Sequence, residues 1–421
     1  MQTAVKLIYC AIMKLWFKYL IGIAIGITAA VILPQNNIHV QTTVEFISNL
    51  MLRFGRYMLL PVLFFSVATA CFKLNEEKMI LKTGFWTFVV IFASSLLLVL
   101  IGLISARLIP LPRIPSTFEK SSELPSLNIK FLLESLFPYS GFEALTNGAY
   151  LLPCFVFAGL AGAGASSEKS ASKTAFSIFD ALSKVCYNVM AFITEILAVG
   201  MIAIAAKWMF SFSSIMETGV YKPLFILLTV DIAVTAFVIY PFLLKLLCKE
   251  NHPYRVLYAN FCPFLTAFFS GDTNLALTLE LRHGKESLGI RRRTNAVALP
   301  LFSIFGRGGT AMVQAVSFIV ILHSFSPLKI ELSNLIWIAV FSFLISLALC
   351  SYPSGGPFVA ITIMCTLYGR SFDSGYLLLK SAAPLLCAYA AGMDAITAMF
   401  GSYFVAHKTR TIDHVELRHF I

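Results

Sequence analysis

Charged residues are scarce in this chain of 421 residues. Only 13% are Asp, Glu, Lys or Arg, whereas 58% are hydrophobic. Soluble globular domains carry about 25% charged and about 45–50% apolar residues. No hydrophilic stretch is long enough to form a separate soluble domain. These shortages exclude an ordinary soluble protein and predict one domain embedded in a lipid bilayer.

The chain also lacks the motifs of metal, redox and nucleotide chemistry. Its nine cysteines contain no CxxC pair and its seven histidines no HExxH spacing, so neither a zinc site nor a disulfide framework is indicated. It has no Gly-rich P-loop ending in Lys-Ser/Thr, and no nucleophile–base arrangement stands out. We therefore expect no enzyme activity, no metal site and no bound cofactor.

Positive charge is in excess, with a formal net charge of +11. Its placement argues against nucleic-acid binding, because Lys and Arg cluster in short loops between apolar runs. Examples are Lys245 with Lys249, and the run Arg291–Arg293. Cationic short loops mark the cytoplasmic side of a membrane protein. The pattern predicts a multi-pass protein of the cell (inner) membrane with both termini in the cytoplasm.

Long apolar runs predict eight transmembrane helices, since about 20 helical residues cross the hydrocarbon core of a bilayer. Residues 4–16 are interpreted as an interfacial amphipathic helix ahead of the first span, and residues 111–141 as an external loop. The predicted spans cover residues 15–34, 44–72, 84–110, 142–167, 174–209, 217–247, 294–323 and 375–407.

Two further segments read as helical hairpins rather than spans. Hairpin 1 (257–285) has two apolar arms of about 12 residues, roughly 18 Å each, around the polar tip 270–274. Hairpin 2 (335–370) has the same layout around the Pro- and Gly-rich tip 352–357. Paired, broken segments of this kind indicate a transporter binding site near mid-membrane. The predicted fold class is an all-α integral membrane protein with eight transmembrane helices and two re-entrant hairpins that enter from opposite faces.

Five motifs give the chain a family resemblance. It resembles the dicarboxylate/amino acid:cation symporter family, which contains the glutamate/aspartate transporters, nearly from end to end. The motifs are Leu60-Pro-Val-Leu-Phe-Phe-Ser66, Pro138-Tyr-Ser-Gly-Phe-Glu-Ala-Leu-Thr-Asn-Gly148, Thr278-Leu279, Gly309-Thr-Ala-Met-Val-Gln-Ala315 and Gly392-Met-Asp-Ala-Ile396.

The resemblance implies a homotrimer with an elevator mechanism. The scaffold would comprise about 15–72 and 142–209, and the sliding transport part about 84–110 and 217–408. The tip of hairpin 2 would form the extracellular gate. The gate residues are Pro353, Ser354, Gly355, Gly356 and Pro357.

The resemblance, together with the polar hairpin tips, gives a set of candidate site residues. The predicted ion-coupling residues are Asp272, Gly306 and Asp394, of which Asp394 is expected to support the ion region rather than to bind directly. The predicted substrate-binding residues are Ser270, Asp272, Thr273, Arg307, Thr310, Gly355, Gly356 and Ser402.

The chain departs from the family pattern at several ligand positions. The seventh-span N-M-D reads Gly306-Arg307-Gly308. Ala398 stands at the substrate-amine aspartate, Gly401 at the arginine that pairs with an acidic side chain, and Val405 and Thr409 at two further ligands. Substrate and coupling ion therefore stay open: Na⁺ symport, H⁺ symport and facilitated exchange are all compatible.

Arg307 is the most unusual charge, because a charged group at the bilayer centre is costly and is functional or paired by default. One hypothesis is that its guanidinium binds a substrate carboxylate with two parallel hydrogen bonds. The alternative is a structural ion pair with Asp272 or Asp394. Asp272, in turn, is interpreted either as a receiver of a substrate amine or coupling proton, or as an N-cap of the second arm of its hairpin.

The leading functional hypothesis is a secondary, ion-coupled symporter of a small carboxylate or amino acid. The alternatives are a non-transporting solute sensor or degenerate paralogue on the same scaffold, and an anion-conducting channel. The expected partners are the small-molecule substrate and the lipid bilayer.

Overall fold

The chain is built from α-helices throughout the residues that the computed structural model describes, which are 14–34, 37–109, 112–115, 129–167, 169–325, 331–369, 372 and 374–421. These ranges contain no β-strand, only an isolated bridge between Ile290 and Ile412. The interfacial helix predicted at 4–16 lies mostly outside the described residues. Of the loop predicted at 111–141, the structure describes 112–115 and 129–141, and Ile129–Leu136 forms a short helix rather than a loop. The helices are α1 (Leu15–Ile32), α2 (Ile38–Arg56), α3 (Leu59–Glu76), α4 (Ile80–Leu108), α5 (Ile129–Leu136), α6 (Leu152–Ser167), α7 (Lys169–Glu217), α8 (Lys222–Val234), α9 (Tyr240–Cys248), α10 (Tyr254–Ser270), α11 (Thr273–Glu286), α12 (Arg292–Phe305), α13 (Gly308–Phe325), α14 (Leu332–Ala348), α15 (Gly356–Tyr368) and α16 (Ala383–Lys408).

Eight helical stretches in these ranges are long and apolar enough to cross a membrane, which confirms the predicted fold class. The set differs in one member from the prediction. α14 with its 3₁₀ extension is long enough to span, whereas α6 is shorter than the others. The eight stretches are Leu15–Ile32, Ile38–Glu76, Ile80–Leu108, Lys173–Glu217, Lys222–Cys248, Arg292–Phe325, Leu332–Ser351 and Ala383–Lys408.

Three predicted spans have internal breaks or later starts than expected. The span predicted at 44–72 turns at residues 57–58, and Pro61 lies in the first turn of α3, where its missing N–H removes no helical bond. The span predicted at 142–167 contains a short 3₁₀ helix at Glu143–Leu145 and becomes α-helical only at Leu152, because the Asn147 side chain accepts the backbone N–H groups of residues 149 and 150 in a turn. The span predicted at 294–323 is broken between α12 and α13.

The two hairpins form, and the first arm of hairpin 1 is longer than predicted. Hairpin 1 consists of α10 and α11, with 17 and 14 residues. Hairpin 2 consists of α14 and α15, with 17 and 13 residues. Seventeen helical residues measure about 25 Å, so the expectation of arms of about 12 residues in hairpin 1 was wrong for α10. Gly271 (φ +64°) and Gly355 (φ +77°) adopt the left-handed conformation that each turn requires.

The most deeply buried helices are α11, α12 and α13. Every residue of α13 from Gly308 to Leu322 is buried. By contrast, α4 and the α8–α9 segment expose large apolar side chains such as Leu81 and Phe237. A helix that is hydrophobic all round and surrounded by protein forms a core, whereas exposed apolar faces of this extent suit contact with lipid.

Small residues allow α1 to pack directly on α7. A Cβ atom added at Gly22 would lie 2.3 Å from the carbonyl oxygen of Ala198. One added at Gly26 would lie 2.3 Å from the carbonyl oxygen of Ile202. Glycines four residues apart are typical of closely packed membrane helices. The two backbones therefore touch along this seam.

Candidate functional site

The tips of the two hairpins touch each other. The backbone N–H of Thr273, the first residue of α11, donates to the carbonyl of Pro353 over 3.1 Å. The Thr273 hydroxyl lies 3.3 Å from the same carbonyl. Irregular backbone at membrane depth must be covered by protein or line a cavity, and each tip covers the other. The two broken segments thus converge on one place, as the sequence layout predicted.

Asp272 caps α11 and is already paired. Its carboxylate accepts the backbone N–H of Asn274 over 2.9 Å and that of Leu275 over 3.1 Å, so the N-cap interpretation is confirmed. The same carboxylate forms an ion pair with Arg56, at the end of α2. Asp272 is 2% exposed. Its charge is therefore balanced before any substrate or proton arrives.

Arg307 lies at the break between α12 and α13 and is 3% exposed. One terminal nitrogen donates to the Thr273 hydroxyl over 2.5 Å and lies 4.0 Å from a carboxylate oxygen of Asp394. Its Nε has no hydrogen-bond partner among the described residues. The predicted structural pair therefore forms only loosely, with Asp394 and not with Asp272. Buried polar groups normally have hydrogen-bond partners, so the unused N–H donor of Arg307 leaves room for a further hydrogen-bond acceptor.

Asp394, on α16, holds the start of α13. It accepts the backbone N–H of Gly309 over 2.7 Å and the Thr310 hydroxyl over 2.9 Å. The carboxylate thus acts as an N-cap from a neighbouring helix and meets the positive end of the helix dipole. Gly309 makes this approach possible, because a Cβ there would lie 2.6 Å from the Cβ of Met393.

Two cavities border the tips. A small one of about 10 Å³ lies between them, a volume that holds about one water molecule. It is lined by Thr273, Arg307, Thr310, Pro353, Gly355, Gly356, Pro357 and Asp394, among others. A larger one of about 240 Å³ lies between the tips, α2 and α7. Ser270 and Ser354 line it together with Gly355, Lys207 and Trp208, among others.

Three predicted site residues line neither cavity: Asp272, which caps α11, and also Gly306 and Ser402. The Ser402 hydroxyl is buried and donates to the carbonyl of Met399 within α16. Gly306 ends α12, and a Cβ there would lie 2.6 Å from the carbonyl oxygen of Phe302. Neither residue lines the cavity between the tips or the larger one beside it.

Several charged contacts at the site escaped the sequence analysis. Arg56 was not singled out, although an arginine within an apolar run is itself a signal. The Glu195 carboxylate accepts hydrogen bonds from Lys18 of α1 over 2.6 Å and from Arg282 of hairpin 1 over 2.8 Å. Glu280, on α11, is 2% exposed and was also overlooked.

The sequence matches one protein family along almost all of its length. A sequence model described as the sodium:dicarboxylate symporter family matches residues 15–407. The serine/threonine transporter SstT of Enterococcus faecalis is 23% identical over 369 residues, which cover 85% of this chain and 82% of that protein. The protein glt-3 of Caenorhabditis elegans, named as a candidate sodium-dependent excitatory amino acid transporter, is 24% identical over 216 residues, or 51% of this chain and 39% of that protein. The chain belongs to the sodium:dicarboxylate symporter family.

Proposed function

We propose that this protein is a secondary transporter of the cytoplasmic membrane that couples uptake of a small carboxylate or amino acid to an ion gradient. The observation that carries the proposal is the contact of two hairpin tips around a buried arginine with an unused donor. Family membership supports ion-coupled symport. A purely structural protein has little reason to keep an incompletely bonded guanidinium inside its core.

The substrate group that suits Arg307 is a carboxylate. A guanidinium presents several N–H donors in one plane and binds carboxylates with parallel hydrogen bonds. The Thr273 and Thr310 hydroxyls line the same small cavity and would provide the remaining hydrogen bonds. We therefore propose that Arg307 binds the substrate carboxylate between the two tips.

A second carboxylate on the substrate would find no guanidinium on α16. Gly401 stands where the family resemblance places an arginine, and a Cβ there would lie 2.2 Å from the ring of Phe302. The ring thus fills the space that a longer side chain would need. Among the relatives, SstT is named for transport of serine and threonine. We propose small amino acids with uncharged side chains as the first substrates to test.

The proposed mechanism assigns a gate and a moving part. The cavity between the tips, at about 10 Å³, is too small for an amino acid, whereas the neighbouring cavity measures about 240 Å³. Movement of the hairpin 2 tip would join these two cavities into one. We further propose that both hairpins are re-entrant, that residues 84–110 and 217–408 slide against residues 15–72 and 142–209, and that the protein is a homotrimer with cytoplasmic termini.

The test is uptake of labelled serine, threonine, glutamate and succinate into proteoliposomes under an imposed Na⁺ or H⁺ gradient. Accumulation driven by either gradient is the expected result. Absence of accumulation under both gradients would reject symport. If a solute still raised the melting temperature of the protein in that case, the solute-sensor hypothesis would replace symport. Solute-dependent currents without accumulation would instead indicate a channel.

Arg307→Ala tests the proposed carboxylate contact. Substrate affinity should fall about 10- to 100-fold, because a hydrogen bond to a charged group contributes about 1.5–3 kcal/mol. Arg307→Lys keeps the charge without the planar donor set, and its substrate affinity should lie between those of wild type and Arg307→Ala. Arg53→Ala, at an exposed arginine of α2, is the matched control. Unchanged affinity in both Arg307 variants would exclude substrate contact.

A further inference from the structure

A second buried ionisable side chain, Glu280, lies on α11, the second arm of hairpin 1, and outside the proposed substrate site. Glu280 is 2% exposed, and its Oε2 has no hydrogen-bond partner among the described residues. It does not line either cavity at the hairpin tips. An ionised carboxylate in such a place is strongly disfavoured unless it is paired and hydrogen-bonded. Glu280 therefore differs from Asp272, whose carboxylate has Arg56 and two backbone N–H groups.

The charged groups near Glu280 do not neutralise the negative charge that its ionised carboxylate would carry. They are Arg307, in the break between α12 and α13, and Asp394 on α16. Arg307 already faces Asp394. From the other helices packed on α11, Arg56 of α2 is paired with Asp272 and Glu195 of α7 with Arg282. The buried cluster thus carries one carboxylate more than its arginines neutralise.

A row of polar side chains leads from Glu280 to the end of α11. His283 and Ser287 follow at spacings of three and four residues, which place them on the same side of the helix. His283 is 2% exposed, its Nε2 has no partner among the described residues, and its Nδ1 lies 3.3 Å from the Ser287 hydroxyl. Ser287 is itself buried and caps the helix end, where Lys285 is exposed to the surroundings. Glu280 and His283 thus each leave one proton-binding atom unused, one turn apart.

We propose that Glu280 is the site of the coupling proton, and that His283 and Ser287 form the path by which the proton reaches it. This inference rests on the proposed symport function and names its coupling ion. A proton bound to a carboxylate oxygen of Glu280 converts the carboxylate to a neutral carboxylic acid. The buried cluster of Glu280, Arg307 and Asp394 then has no excess charge while the hairpins are closed. When the proton leaves through His283, the negative charge returns and disfavours the closed, substrate-loaded form.

The surroundings of Glu280 favour a proton over a sodium ion. A metal cation needs several oxygen ligands, but Oε2 of Glu280 has no polar neighbour within hydrogen-bonding distance in the described part of the chain. The other nearby carboxylate, Asp394, uses both oxygens to hold the start of α13. A proton requires only the carboxylate itself.

The experiment compares wild type with Glu280→Gln and Glu280→Asp in proteoliposomes. An inward pH gradient of one unit should raise wild-type accumulation about tenfold for one coupled proton. Glu280→Gln imitates the protonated form, so it should still exchange internal for external substrate but should lose the response to the pH gradient. Glu280→Asp should keep that response. His283→Gln should slow pH-driven uptake severalfold and leave the final accumulation unchanged.

The outcomes separate this inference from the proposed function. Sodium-driven uptake without any response to pH would overturn the proton site and leave symport intact. A pH response that persists in Glu280→Gln would also overturn it. If Glu280→Gln failed to fold, as judged by its melting temperature, loss of the pH response in a folded Glu280→Asp would count against the site. Wild type that accumulates nothing under either gradient refutes the proposed function itself.

Discussion

Hairpin 1 and hairpin 2 share a helix–break–helix layout, but they are attached to the rest of the molecule in different ways. The second arm of hairpin 1 is buried from Thr273 to Gly284, and ion pairs join the hairpin to α2 and to α7. The first arm of hairpin 2 exposes large apolar residues, among them Leu332 at 70% and Ile336 at 57%. Its described residues form no ion pair with another helix, and its tip contains no charged side chain.

This difference indicates which hairpin moves more easily. Segments with few buried contacts open at lower free energy than the core around them. Opening hairpin 2 breaks the Thr273–Pro353 contact and exposes glycine and proline at the tip. Opening hairpin 1 would also separate Asp272 from Arg56. Hairpin 2 therefore suits the role of a gate, and hairpin 1 that of the fixed side against which it closes.

Asp272→Ala should have the largest effect on stability. The substitution removes the cap of α11 and leaves Arg56 without its carboxylate. Breaking a buried pair costs about 3–5 kcal/mol, and since the Arg56 side chain is 25% exposed, we expect about 3 kcal/mol including the cap. Chemical denaturation in detergent measures this loss in the free energy of unfolding. Ser354→Ala, in the tip of hairpin 2, should change stability little; a similar loss there would contradict the comparison.

Alanine at the two left-handed glycines should have the next largest effect. An L-residue in the left-handed conformation costs about 1–2 kcal/mol, and neither Gly271 nor Gly355 has atoms within 3.5 Å of an added Cβ. Gly271→Ala should show this full loss, because hairpin 1 cannot relax. Gly355→Ala should show less, since a loosely attached tip can rearrange. Equal shifts in melting temperature would show that both tips are equally fixed.

Glu195→Gln should have the smallest effect. It removes the carboxylate that pairs with Arg282 and Lys18. Arg282 retains its bonds to the carbonyl of Ala191 and the hydroxyl of Thr194, so we expect a loss of about 1 kcal/mol. The loss should decrease at high salt, which screens partly exposed charges. A salt-independent loss would point to packing rather than to the ion pair.

Much of the fold could be predicted from the sequence because its signals are local. Apolar runs indicated the spans, the polar stretch 270–274 marked one break, and the Pro and Gly cluster at 352–357 marked the other. Family resemblance, which the match over residues 15–407 confirms, followed from short motifs. Of the two interpretations of Asp272 that the sequence left open, the N-cap is confirmed, and it was within reach of the sequence because capping depends on the next three residues.

The rest depends on residues that are distant in the sequence. No local pattern shows that Asp272 pairs with Arg56, 216 positions earlier, or that Arg307 faces Asp394. The position of Ser402 relative to the cavities likewise depends on how α16 is rotated against its neighbours. Hydropathy favoured short arms for hairpin 1, but α10 begins at Tyr254, three residues before the predicted start at 257, so this extra length lies at the end away from the tip.

The close packing of α1 on α7 has a mechanical consequence. With backbone touching backbone at Gly22 and Gly26, a shift of one helix along the other by a single residue, about 1.5 Å, would press a side chain of α1 into a carbonyl of α7. This pair of helices can therefore neither slide nor rotate independently. A displacement of α1 therefore carries α7 with it, and the two helices behave as one rigid unit.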